Sequence, residues 1–261
     1  MLKNERHKFI INKIREQQNV HVKELKDYLQ VSDETIRRDL MELESQGLLR
    51  CVHGGAVYDS LTANEYQVEV RINNNPMEKE AICREAAKLV QDGQSLAIVA
   101  STTTLPLGKH LARKNNLTVV TNSILLGNQI SSNESNHVIL TAGTIWHKPQ
   151  KVMGPLAAYC FRQYRVDKAF FSISGISQSA GLTEYTEDER EIIQAAIEMS
   201  RERVLLNDST KFEVVAFCRF AGTEVLHRIV TDWHISRKEL SYYTAMGIKV
   251  ACAGNERGEN S

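Results

Sequence analysis

Residues Val31 to Gly47 read "VSDETIRRDLMELESQG", and the N-terminal fold turns on this stretch. Ile36, Leu40 and Leu43 recur at i, i+4 and i+7, the period of a helix with one apolar face. Ser32 or Asp33 caps its start, because a short side-chain oxygen accepts from the unpaired N–H groups of a first turn. Gly47 is expected to end it, glycine being the residue that takes the left-handed conformation of a helix stop without strain. With the apolar stripe turned inward, Thr35, Arg37, Arg38 and Met41 fall on outward or flanking faces.

Two shorter helical periods precede this helix, one marked by Phe9, Ile10, Lys13 and Ile14, the other by Val22, Leu25 and Leu29. After it, "LLRCVHGGAVY" (Leu48 to Tyr58) holds two β-type runs around a Gly-Gly turn, the pattern of a hairpin. Three helices and a hairpin in residues 1–58 predict a winged helix-turn-helix. Its third helix would enter a major groove, where Arg37 and Arg38 suit guanine edges or phosphates and Thr35 suits a phosphate or a thymine methyl. The hairpin adds Arg50 and His53, while Gly54 and Gly55 allow close backbone approach to a sugar-phosphate chain. The competing reading is a solvated helix whose arginines merely pair with Glu34, Asp39 or Glu42.

Residues 59–76, ending in "NNNP", read as a linker, and residues 253–261 as a polar tail. From 77 to 252, apolar β-branched runs alternate with helical periods, which predicts an α/β domain with a largely parallel sheet and helices on both faces. Within it, "AIVASTTTLP" (Ala97 to Pro106) runs from a strand into hydroxyl side chains at an apparent helix start. A phosphate seated on Ser101, Thr102, Thr103 and Thr104 would gain hydroxyl and backbone donors there. Lys211 is a candidate cationic partner, and Asn122 and Ser123, at a neighbouring strand end, are candidate partners for sugar hydroxyls.

Bulk properties set limits on these readings. A chain of 261 residues is long enough for two domains, and 42% hydrophobic with 25% charged residues is ordinary globular composition. Formal net charge is zero with a slight basic excess in the first 58 residues, so a nucleic-acid reading rests on pattern rather than on global charge. No apolar run approaches a membrane span and no export signal is visible, so a cytoplasmic protein without membrane contact is expected. Cys51, Cys83, Cys160, Cys218 and Cys252 are dispersed, with no C-x-x-C pair, which predicts reduced, mostly buried thiols. Neither a metal site nor a bound cofactor is expected.

Arg6, Ile10, Ile14, Ser32, Thr35, Ile36, Arg37, Arg38, Asp39 and Leu40 at these spacings, with "HGGA" (His53 to Ala56), resemble the DNA-binding signature of the DeoR/GlpR family of bacterial regulators. The resemblance implies a recognition helix that includes Ser32, and a regulator, usually a repressor, of carbohydrate-utilisation genes. It continues through "VVTNS", "MGPLA", "VDKAF", "GISQSAGLT" and "NDSTKF", and implies a Rossmann-like, ribose-5-phosphate isomerase-like sensor domain that binds a phosphorylated sugar or sugar acid. Gly143 and Gly175 join the candidate effector residues on the same ground. The family's usual Asp, Ser and Gly at the first strand end are Val99, Ala100 and Ser101 here. Asp39 is expected to hold an arginine or the helix packing.

Sugar isomerisation needs a carboxylate base beside the substrate carbon. The loop Ser172 to Thr183 has no carboxylate before Glu184, and Asp167 and Asp208 stand apart. Binding without turnover is therefore expected, by a homodimer or homotetramer that also binds operator DNA. The alternative is an isomerase-type enzyme with a DNA-binding appendage.

Overall fold

The computed structural model describes residues 3–17, 19–45, 49–52, 54–57, 73–147 and 150–254. The expected helix stop at Gly47, His53, most of the 59–76 linker and the tail beyond 254 lie outside them. The chain divides into two units, Met1–Asn73 and Asn74–Ser261.

In the first unit, α1 (Lys3–Gln17), α2 (Val22–Leu29) and α3 (Asp33–Ser45) surround a core that includes Ile10, Ile14, Leu25, Ile36, Leu40 and Leu43. Each such side chain, taken fully from water, contributes about 1.5–3 kcal/mol. The hairpin is present as β2 (Arg50–Val52) and β3 (Gly55–Val57). A strand unforeseen in the sequence, β1 (Asn19–His21), pairs antiparallel with β3 and gives the order β1-β3-β2. Three residues with only Val20 buried are too short to show a strand period.

The second unit is built on seven parallel strands: β4 (Ser95–Ile98), β5 (Thr118–Thr121), β6 (His137–Leu140), β9 (Val166–Phe171), β12 (Ser200–Leu206), β14 (Arg228–Thr231) and β15 (Lys249–Cys252). Around them run α4 (Pro76–Ala87), α5 (Leu107–Leu111), α6 (Ile124–Ser131), α7 (Pro155–Arg162), α8 (Glu187–Met199) and α9 (Arg237–Ala245). Successive strand residues serve opposite faces: Phe170 packs in one core with Leu96 and Leu206, Phe171 in the other with Ala97 and Leu205. Two small antiparallel sheets interrupt the alternation, β7 (Thr144–Trp146) with β8 (Lys151–Met153), and β10 (Gly175–Ser177) and β13 (Cys218–Ala221) on either side of β11 (Gly181–Glu184).

Strand order is β15-β14-β12-β9-β4-β5-β6. The chain leaves β4 toward β5 and β6, then returns to β9 on the other side of β4. That reversal puts the switch point of the sheet at the carboxyl ends of β4 and β9, the place where ligands of such sheets collect. None of the described helices is long and apolar enough to cross a membrane. All five cysteines are free thiols, but the expectation that most are buried is corrected: Cys83 is buried, Cys51, Cys160 and Cys218 are half-buried and Cys252 is exposed.

Candidate functional site

Helix α3 starts on a local cap. The Thr35 N–H donates to Ser32 Oγ at 3.2 Å, and the two hydroxyls lie 2.9 Å apart. Further along, Glu34, Arg37, Arg38 and Met41 line an open groove with Glu42. Arg38 is 80% exposed, with the exposed Glu34 carboxylate 3.9 Å away. Such a pair is worth about 0.3–0.5 kcal/mol and does not hold the guanidinium against a better partner.

Asp39, the neighbouring acid on the same helix, is occupied elsewhere. Arg6 reaches it with Nε at 2.6 Å and a terminal nitrogen at 3.0 Å, and His7 Nε2 lies at 3.0 Å. Burial works to raise the Asp39 carboxyl, but hydrogen bonds and charge from Arg6 and His7 hold it below the usual carboxylate range. The buried acid thus anchors α3 to α1, while Arg37 and Arg38 project from the opposite face.

In the hairpin, Gly54 has φ +82° with open space around it. Gly55 is buried, and a Cβ there would stand 2.0 Å from the Val20 carbonyl oxygen. What requires glycine at this position is the close pairing of β3 with β1. The Arg50 backbone lies in β2, its side chain and the whole of His53 being outside the described residues. Sequence reasoning missed His21 and Lys23, which share a hollow with Gly54, Glu24 and Asp27. Val22 N–H donates to the Gly54 carbonyl at 2.9 Å, so β1–β3 pairing brings the start of α2 to the hairpin turn. Nothing local in the sequence reports that proximity.

At the sheet's carboxyl end, regular helix begins at Leu107, past the hydroxyl run, and α5 has five residues. The expected helix start at Ser101–Thr104 is instead a self-capped turn. Ser101 N–H donates to Thr104 Oγ1 at 3.0 Å, Thr104 N–H returns to Ser101 Oγ at 2.9 Å, and the Thr104 hydroxyl donates to the Val99 carbonyl at 2.7 Å. Asn122 accepts from Ala100 N–H at 2.7 Å and donates to the Val152 carbonyl at 3.0 Å. Ser123 caps α6 by accepting from Leu126 N–H at 3.2 Å. A Cβ on Gly143 would lie 2.4 Å from the Met153 carbonyl, and one on Gly175 2.4 Å from that of Val214.

These bonds and close approaches give five of the candidate ligand residues a structural role. Thr104, Asn122, Ser123, Gly143 and Gly175 hold the framework, because short polar side chains at turns bond the nearest backbone and glycines admit close strands. Thr103 is buried, its carbonyl accepting the Cys83 thiol at 2.8 Å. Ser101, Thr102 and Lys211 keep partial solvent access. Lys211 closes a short 3-10 turn capped by Asp208, and Ser209 N–H of that turn donates to the buried Asp232 at 2.7 Å.

Glu184 was outside the sequence reading of this site. Although distant from the start of the 172–183 loop, it folds back on it: Ser174 N–H and hydroxyl donate to its carboxylate at 2.9 and 2.6 Å, and Tyr185 N–H at 3.2 Å. Burial and the nearby Glu189 charge push it up to about 7 against those hydrogen bonds. The loop 172–183 itself holds no carboxylate, and Glu184, the residue just beyond it, turns back to its start. Its oxygens nonetheless face three donors and only 4% of the residue is exposed, a poor arrangement for a base that must reach a substrate carbon. Buried Lys151 donates to Glu189 at 2.6 Å and lies over the Trp146 ring. A second buried lysine, Lys79, sits one turn before Cys83 on α4. Isolated buried lysines leave no periodic signal in a sequence.

Two family models match: a DeoR-like helix-turn-helix domain over residues 6–62 and a DeoR C terminal sensor domain over residues 74–233. The chain is 35% identical over 232 residues to the uncharacterized HTH-type transcriptional regulator YulB of Bacillus subtilis, covering 89% of this chain and 90% of that protein. It is 31% identical over 232 residues to the glycerol-3-phosphate regulon repressor of Escherichia coli, covering 89% and 92%. A ribose 5-phosphate isomerase A structure from Methanocaldococcus jannaschii aligns with a TM-score of 0.39 at 16% identity, over 53% of this chain and 55% of that one.

Proposed function

This chain belongs to the DeoR family of DNA-binding transcriptional regulators, and from that premise we propose a repressor whose hold on operator DNA is tuned by a phosphorylated sugar or sugar acid, bound without turnover. The observation that carries the operator half is the outward pair Arg37 and Arg38 on a helix whose buried acid is already satisfied by Arg6. In this reading the two arginines take guanine edges or phosphates, Thr35 a phosphate or thymine methyl, and Gly54, Arg50 and His53 the adjacent backbone. Two copies related by twofold symmetry would address half-sites about 10 base pairs apart, as a dimer or within a tetramer.

The effector half is supported by the switch point between β4 and β9 and by the half-buried polar residues that follow strand ends there, with Ser101, Thr102 and Lys211 as the contacts for an anion. A relative named for a glycerol-3-phosphate regulon favours a small phosphorylated ligand. The chain is a regulator, not an isomerase with a DNA-binding appendage.

Gel-shift titration of the full chain on the DNA upstream of its own gene tests the first half. Arg38→Ala is expected to weaken binding at least tenfold, and unchanged affinity would remove the recognition-helix assignment. A thermal-shift screen of phosphorylated sugars and sugar acids tests the second half. The hit should lose its effect on operator binding in the Thr102→Val, Lys211→Ala double variant, which keeps its affinity for DNA.

A further inference from the structure

The solvent-facing side chains of α3 include Glu34, Arg37, Arg38 and Met41, at i, i+3, i+4 and i+7. That spacing sets them on one stripe, opposite the buried Ile36, Leu40 and Leu43. Three of the four are charged. The fourth is 65% exposed, whereas every other apolar side chain described on the helix is buried to within 2%. A methionine in open solvent costs little, so its position is what carries meaning here. It stands one turn beyond two guanidinium groups, on the face offered to a duplex.

Among base edges in the major groove, only thymine presents an apolar group, the C5 methyl. An unbranched thioether chain is suited to meet it, being apolar, polarizable and able to adjust its reach. Met41 lies three residues past Arg38 and four past Arg37, about 4.5–6 Å along the helix axis at 1.5 Å per residue. Stacked base pairs are about 3.4 Å apart, so the methionine addresses a pair one or two steps from the one an arginine reads.

We propose that Met41 is a specificity-determining residue that reads the methyl group of a thymine one or two steps from a guanine bound by Arg37 or Arg38. The proposal rests on the operator-binding reading above. Wild-type full chain and the Met41→Ala variant are each used to select binders from a pool of random-sequence duplexes. The wild-type consensus should hold a thymine at that distance from a guanine, and the variant should lose the thymine preference while keeping the guanine.

In the selected duplex, replacing that thymine by deoxyuridine removes only the methyl. Wild-type affinity should fall about fourfold, the value of one buried methyl-sized group, and the affinity of Met41→Ala should not change. Met41→Leu, which keeps an apolar end, should retain the discrimination. Circular dichroism melts establish that the variants fold. If wild type enriches no sequence at all, operator binding itself fails and the inference falls with it. If it enriches a sequence but deoxyuridine affects wild type and Met41→Ala alike, operator binding stands and the role of Met41 is overturned.

Discussion

Asp39 and Glu184 are both buried carboxylates, and their surroundings drive them in opposite directions. Asp39 faces cationic partners on α1, so its carboxyl is held low and the folded state favours the charge. Its stabilising contribution is present above the unfolded carboxylate pKa, near 4, and is lost as pH falls through the depressed folded value. Asp39→Asn leaves Arg6 facing a neutral amide and should cost about 2–4 kcal/mol at pH 7, read by urea denaturation of the full chain as a loss confined to the helix-turn-helix unit. Glu184 meets donors but no cation in direct bond, and burial beside Glu189 raises it to about 7. Its folded state binds the proton more readily than the unfolded one, so its stabilising contribution is complete below about 4.5 and disappears as pH rises to about 7. Denaturation between pH 4.5 and 8 should therefore show a downward slope with pH that Glu184→Gln flattens, and an unchanged slope would contradict the shift. The two residues also differ in how far the sequence reported them. Asp39 lies within a spaced motif together with Arg6, and its partner could be anticipated. Glu184 reaches Ser174 only because β11 turns back along β10, a long-range pairing that no local pattern encodes.

Elements with a full helical period were legible, and those completed by distant pairing were not. The stripe of α3 and the β2–β3 hairpin could be read directly, since side-chain period and turn residues are local. Strand β1 could not, because its three residues become a strand only when β3 supplies the hydrogen bonds. The hydroxyl run after β4 was legible as a strand end but not in its local form. Its composition does not report that Ser101 and Thr104 cap each other in a turn before regular helix begins. The unforeseen β1 also makes the hairpin intolerant of change. Gly55→Ala would drive a methyl group to 2.0 Å from the Val20 carbonyl, and backbone cannot yield as a side-chain tip does. The expected result is a loss of about 1–3 kcal/mol in the first unit, with weakened operator binding that tracks the melting of the sheet. Gly54→Ala meets no neighbour but sits at φ +82°, so it should cost about 1 kcal/mol through backbone strain alone. Thermal melts of the two variants separate the mechanisms, and equal losses would count against the close approach of β1 and β3.

At the scale of the molecule, zero net charge supplies no strong overall attraction to DNA, and in the proposed reading affinity rests on the groups of α3 and the hairpin. Each of the two units has a hydrophobic core of its own, the smaller within Met1–Asn73 and two larger clusters on the faces of the seven-stranded sheet. A unit of that smaller size buries a lesser fraction of its surface and has the lower margin of stability. Calorimetry of the full chain should accordingly resolve two transitions, the first from the helix-turn-helix unit. A duplex that binds only this unit, at about 100 times its Kd, adds about 2.7 kcal/mol to it and should move the first transition alone. The effector should move the second. Regulation requires more than this pair of independent shifts, because the ligand must change the equilibrium for DNA. If it weakens operator binding tenfold, the coupling is about 1.4 kcal/mol, and saturating duplex must weaken effector binding by the same tenfold factor. Titration calorimetry of each ligand with and without the other measures both factors. Equal factors, together with a duplex-induced shift of the first transition that shrinks when effector is present, are the expected result. A ligand that raises the second transition and leaves operator affinity untouched would be a bound molecule without regulatory consequence, and the sensor assignment would have to be abandoned.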